Sequence, residues 1–212
     1  MAFVRPYLRR SIEALAAGRH QFFGPRLGMK NAWRALPDFR SSCVYLDIET
    51  DGGSRGESVT MVGMYDGSEF KCLVQGHDLE QFRDAISHYS MIVTFFGAGF
   101  DLPMLERRFP GLRLDAIHVD LCPTLRRLGL RGGLKKIEKT LGLARSEETD
   151  GLGGMDAVRL WRRYQRGDDR ALETLIAYNR EDVVNLQPLA EFAYKELWAE
   201  ARIGVTAVSS AG

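Results

Sequence analysis

The sequence predicts an α/β fold: a mixed sheet of about five strands, three antiparallel and then two parallel, with helices on both faces. Three observations carry this. Asp66-Gly67 separates two β-type runs, 58–65 and 69–75, and Asp-Gly in that setting is the strongest short hairpin signal. Met91–Phe96 is nearly all apolar, as in a strand covered on both faces. Beyond residue 121 the apolar spacing is helical, so the order reads βββαβαβ and then helices.

Taken in order, residues 7–17 have helix formers and an apolar stripe at Leu8, Ile12 and Leu15, with Gly18 as a stop. Residues 20–40 are punctuated by Gly and Pro and carry Phe22, Phe23, Trp33 and Phe39. They predict an irregular strap across the sheet, so residues 1–40 read as an extension too short for a core of its own. The main domain is expected over 41–203. Its first strand is 43–48, followed by the Gly-rich turn 50–57 and the hairpin of 58–65 with 69–75. A helix over 78–89, with Asp78 as N-cap, leads to the strand at 91–96. A helix through about Arg108 and a fifth strand within 112–121 follow. Helices are expected at 121–129, 134–141, 154–166, 169–178 and 180–199, and disorder over 204–212.

Composition is that of an ordinary soluble domain: 212 residues, 45% hydrophobic and 27% charged. No apolar run reaches the length of a membrane span, and arginines interrupt the N-terminal apolar runs, unlike a signal peptide. Cys43, Cys72 and Cys122 are odd in number and widely spaced, which predicts reduced thiols and a cytoplasmic location. The net charge of +1 hides segregation. Residues 1–40 carry eight Lys/Arg against two acids, and residues 105–140 nine against four. Two such basic blocks permit a polyanionic partner.

The chemistry centres on Val44-Tyr45-Leu46-Asp47-Ile48-Glu49. Strand side chains alternate, so Asp47 and Glu49 share a face, about 7 Å apart at the backbone. Two unpaired carboxylates on a core strand are costly to bury, and a divalent metal is one way to offset that; the competing reading is a common Asp-x-Glu tripeptide with solvated acids at a strand end. Asp101 directly follows the fourth strand, at the end where Glu49 would lie if that strand sits beside the first. It is equally placed to cap the next helix, with Pro103 in the first turn. Tyr178 and Asp182 are four apart and would stack on one helical face. In a competing reading Asn179 is an N-cap, with Asp182 in a capping box on the outside.

Together, Asp47, Glu49, Asp101 and Asp182, with Tyr178 four residues before the last, match the DEDDy pattern of the 3′–5′ exonuclease superfamily. The stretches VYLDIETDG, VTFFGAGFDLPML, HVDLCPTLRRLGLRGGLKKIEKTLG and AYNREDVVNLQPL resemble the YprB-like branch of ribonuclease H-like nucleases. That branch is also similar to the proofreading domains of family B DNA polymerases. The resemblance spans about residues 43–195 and implies a ribonuclease H-like fold and 3′–5′ hydrolysis of phosphodiester bonds in DNA or RNA. It also implies two ions of Mg²⁺ or Mn²⁺, which favour hard oxygen ligands. Asp47 would bridge both ions, Glu49 and Asp182 would hold the one that activates water, and Asp101 the other. Tyr178 would orient the attacking water. Arg126, Arg127, Lys135 and Lys136, set around glycines, are the expected phosphate contacts to single-stranded 3′ ends. Asp120 is expected as a support residue and His118 as a packed one. One departure stands out: the family usually has Asn before the glycine of the second motif, and here it is Phe96. A catalytically weak nucleic-acid-binding module on the same fold, or a ribonuclease H-like endonuclease, are the alternatives.

Overall fold

The computed structural model describes residues 4–209, with side chains over 7–202. Its strands are β1 (Cys43–Thr50), β2 (Val59–Tyr65), β3 (Phe70–Val74), β4 (Met91–Thr94) and β5 (Ile117–Asp120). They form one sheet in the order β3-β2-β1-β4-β5. β2 is antiparallel to both β1 and β3, and β4 is parallel to both β1 and β5. This is the mixed α/β sheet that the sequence predicts. β1 holds the centre because it is apolar on both sides. Val44, Leu46 and Ile48 pack on one face, and Cys43 and Tyr45 on the other. The β1–β2 register slips between Glu49 and Thr50, just after the second acid. Such irregularities end pairing and re-aim side chains beside functional sites.

The helices are α1 (Val4–Ala16), α2 (His20–Asn31), α3 (Leu36–Phe39), α4 (Phe82–Ile86), α5 (Asp101–Arg108), α6 (Leu121–Arg127), α7 (Leu134–Thr140), α8 (Gly154–Tyr164), α9 (Asp169–Val184) and α10 (Leu186–Ser209). On the Val44/Leu46/Ile48 face, Phe82 and Ile86 of α4 and Met104 and Leu105 of α5 close the core. On the other face, α8 and α9 cover β2 and β3 through Trp161, Leu175 and Tyr178. α6, α7, α10 and the N-terminal segment cover β4 and β5 there. Each fully buried Leu or Phe contributes about 1.5–3 kcal/mol, so these two layers fix how α9 crosses β1.

Several expectations are corrected. Residues 20–40 are helical, not irregular: α2 departs from helical geometry at Gly28 (φ 57), and α3 follows a 3₁₀ turn at Ala32–Ala35. They do lie across the sheet, burying Trp33 and Phe39. The Leu8/Ile12/Leu15 stripe is exposed, and α1 packs on α2. The helix expected over 78–89 reduces to a 3₁₀ turn and the short α4. Asp78 does not cap it; its Oδ1 accepts from Val74 N–H at 2.8 Å. β5 is shorter than 112–121, matching the four residues of β4 that it pairs with. The helix break expected near residue 179 lies at Asn185 instead, after an unbroken α9 capped by Asp168, whose side chain accepts from Ala171 N–H at 3.3 Å. Of the tail expected to be disordered, 204–209 continue α10 and 210–212 lie outside the described residues. Among the described residues no helix is long and apolar enough to cross a membrane.

Candidate nuclease site

The unbroken course of α9 decides the first question. Tyr178, Asn179 and Asp182 all turn inward onto β1 and are buried. The capping-box alternative for Asp182 is therefore excluded. Ligand oxygens of Asp47, Glu49 and Asp182 lie within 4.8 Å of one another. Asp101 begins α5 beside them but outside that cluster. It is 3% exposed, and its Oδ1 accepts from Ile48 N–H at 3.2 Å, which ties it to the backbone between the two strand acids.

Burial and mutual repulsion set the electrostatics. Asp47 is pushed well above the usual carboxylate range by burial, then by the charges of Asp101, Asp182 and Glu49. Glu49 is raised well above it by burial and by Asp182. Burial pushes Asp101 up to about 7, against its backbone hydrogen bonds. Asp182 is also raised by burial, with Arg145 pulling the other way. Buried like charges of this kind, beside a cleft, make these carboxylates candidates for a functional site.

A second set of groups holds these acids, and the sequence reading did not single most of them out. Asn179 Nδ2 donates to Asp47 Oδ2 at 3.0 Å. Asn179 reaches β1 because Gly63, paired with Asp47 across the ladder, has no side chain: a Cβ there would stand 1.8 Å from Asn179 Oδ1. Arg145, in the α7–α8 loop, pairs with Asp182 and makes a two-pronged contact with Glu138 at 2.7 and 2.8 Å. Lys135 Nζ donates to Tyr178 Oη at 2.6 Å and to the Leu152 carbonyl. Lys135 is thus part of the site and not a surface cation. Burial lowers its pKa, against the pull of Asp182. Burial raises the Tyr178 phenol, helped by Asp182, Glu49 and Asp47.

Asp120 has the support geometry expected of it. Its carboxylate accepts from Phe96 N–H at 2.8 Å, Ala98 N–H at 3.1 Å and Cys122 N–H at 3.0 Å. This clamps the loop that delivers Asp101. Phe96 is held there at φ 67, the sole non-glycine residue with positive φ among those described, and is 56% exposed. Asn visits that conformation at less cost than Phe, which gives a backbone reason for the Asn expected at this position. Gly97 is required as well, since a Cβ would stand 2.2 Å from Thr94 Oγ1. His118 is a packed residue, its Nε2 2.9 Å from Thr94 Oγ1.

Asp47, Tyr178 and Asp182 open onto a cleft of about 290 Å³ that Lys135, Lys136, Gly133 and Gly153 also line. Lys136 is exposed at its rim. Arg126 and Arg127 do not line it. Arg127 donates to the Lys30 carbonyl at 2.7 Å, and Arg126 lies 4.0 Å from Cys122 Sγ. The donors facing the cleft are hard oxygens, with neither sulfur nor imidazole in the cluster. That set suits Mg²⁺ or Mn²⁺.

A family model described as the RNase_H superfamily matches residues 44–194. The structure of the family B DNA polymerase from the hyperthermophilic archaeon Pyrobaculum calidifontis is similar in fold, with a TM-score of 0.57 at 21% sequence identity. The match covers 70% of this chain and 24% of the polymerase. No curated protein matches the sequence.

Proposed function

Because the chain belongs to the RNase H superfamily, we propose that it is a divalent-cation-dependent nuclease, and specifically a 3′–5′ exonuclease acting on single-stranded ends of DNA or RNA. The observation that carries this is the meeting of Asp47, Glu49 and Asp182 oxygens within 4.8 Å, with Asp47 and Asp182 lining one open cleft together with Tyr178. Asp47, Glu49 and Asp182 would hold one Mg²⁺ or Mn²⁺, and Asp101 with Asp47 a second. When bound, such ions supply charge relief for the phosphate and lower the pKa of water.

The chain's own groups supply the rest. Tyr178 stays protonated, because its pKa is raised. Its oxygen accepts from Lys135, so its own O–H is free to point at a water or phosphate oxygen in the cleft. Tyr178 therefore orients and donates, and does not act as a base. Lys135, held against the Tyr178 ring at 4.0 Å, places positive charge where a phosphate would lie. Asn179 fixes the orientation of Asp47. Lys136 at the rim, and Arg126 and Arg127 farther along, add sequence-independent attraction for the backbone. Exposed Phe96 and Phe100 offer flat apolar faces beside the Asp101 loop, suited to unstacked bases.

The test is incubation with 5′-end-labelled single-stranded DNA and RNA in Mn²⁺, beside Asp47→Ala and Asp182→Ala. A ladder shortening from the 3′ end, absent in both variants and in EDTA, is the expected result. Internal cuts would point to an endonuclease, and binding without cleavage to a non-catalytic module.

A further inference from the structure

Arg145 is placed with more care than a counter-charge requires. Its side chain is 5% exposed. Nε and Nη2 grip both oxygens of Glu138, and Nη2 also reaches Asp182 Oδ1. Glu138 is 1% exposed, and its Oε1 also accepts from Asn185 Nδ2 at 3.0 Å. Both Glu138 oxygens are thus used in holding the guanidinium, and none is left to serve as a ligand. The loop that carries Arg145 is itself pinned to α9 by Glu181, which accepts from Ser146 N–H at 3.1 Å and from the Thr149 hydroxyl. Glu181 precedes Asp182, so loop and ligand carboxylate are fastened to the same turn of helix.

The consequence concerns which oxygens Asp182 can offer. Oδ1 is engaged by Arg145, which leaves Oδ2 as the Asp182 oxygen with no hydrogen-bond donor among the described residues. Mg²⁺ demands a near-octahedral site and keeps several waters, and Mn²⁺ takes the same six-oxygen geometry, whereas Ca²⁺ takes six to eight oxygens and can use both oxygens of one carboxylate. We propose that Arg145 is a cation-selectivity residue: by occupying Asp182 Oδ1 it holds Asp182 to one-oxygen ligation and disfavours Ca²⁺ at the site. This rests on the reading of Asp47, Glu49 and Asp182 as cation ligands. Arg145 touches no reacting atom; it acts through Asp182.

The experiment measures binding and not turnover. Mn²⁺ binding to the full chain is followed by electron paramagnetic resonance, and Ca²⁺ is titrated in as competitor. The variant is Arg145→Met with Glu138→Gln, which removes both buried charges together and leaves net charge unchanged, so Glu138 is not left behind as a lone buried charge. Preference for Mn²⁺ over Ca²⁺ is expected to fall about tenfold or more, the usual scale for losing a group that orients a ligand. An unchanged preference, with Mn²⁺ still bound, overturns the proposal. Arg145→Lys, which keeps the buried charge but lacks the fork, is read the same way should the double variant lack a cooperative thermal transition. Asp47→Asn reports on the underlying reading: if it leaves wild-type-like Mn²⁺ binding, the cation site itself is misplaced and both proposals fall. A shift in selectivity with Asp47-dependent binding supports both.

Discussion

Replacing Asp101 with Asn should stabilise the metal-free protein at neutral and alkaline pH. Asp101 is buried, and its carboxyl pKa stands at about 7 against an ordinary 3.8. A folded pKa above the unfolded one means that folding favours the protonated form. The stability that proton brings is fully present below about pH 4 and is lost as pH rises to about 7. Above that window the ionised carboxylate costs roughly 4 kcal/mol, from about 1.4 kcal/mol per pKa unit. Asp47 and Glu49 titrate in the same field and share the cost, so one amide should recover about 2–4 kcal/mol. The substituted amide keeps an acceptor for the Ile48 N–H, now bonded to Asp101 at 3.2 Å. Thermal unfolding in EDTA at pH 8 should therefore rise by about 5–15 °C, using about 2–4 °C per kcal/mol for a chain of this size. At pH 4 the gap should close, and Mn²⁺ at pH 8 should raise the melting temperature of the wild type more than that of the variant. A variant no more stable than wild type in EDTA at pH 8, or a gap that ignores pH, would refute this account of the site's electrostatics.

Three further outcomes follow from named contacts. Asn179→Ala removes the donor to Asp47 Oδ2 and should weaken Mn²⁺ binding about 10–100-fold by calorimetry, with secondary structure intact by circular dichroism. Tyr178→Phe keeps the packing but loses the hydroxyl that Lys135 holds. It should lower kcat by about 10²-fold, within the range for a positioned proton donor, while KM changes little in steady-state assays. Phe96→Asn relieves a positive φ of 67°. It should raise stability by about 1 kcal/mol, read as a higher melting temperature.

The sheet was legible because each strand obeyed one local rule. Alternation in Val44–Glu49 put Asp47 and Glu49 on one face, and Asp66-Gly67 marked the hairpin that sets β2 against β3. The i, i+4 spacing of Tyr178 and Asp182 likewise held, since α9 turns both inward. Asn179 was harder to read, because Asn is a preferred N-cap and a break there looked natural. Two signals pointed the other way. Asp168 supplies a better start for the helix, and Gly63 in the middle of a strand marks close approach by another chain segment. Arg145 left no such trace. Its partners Glu138 and Asp182 are seven and thirty-seven positions away, and an ion pair between a loop and two helices has no periodicity. Lys135 was legible as a cation but not as an inward one. α7 is only seven residues long, too short for its apolar spacing to fix which lysine faces Tyr178. For Arg127, composition could not show the bond to the Lys30 carbonyl that the structure makes.

The most direct test of the central claim is the anomalous difference density of crystals soaked in Mn²⁺. Peaks bonded to Asp47, Glu49 and Asp182, lost in Asp47→Asn crystals of the same form, are the predicted result. Clear Mn²⁺ peaks elsewhere on the molecule with none at Asp47 would contradict it.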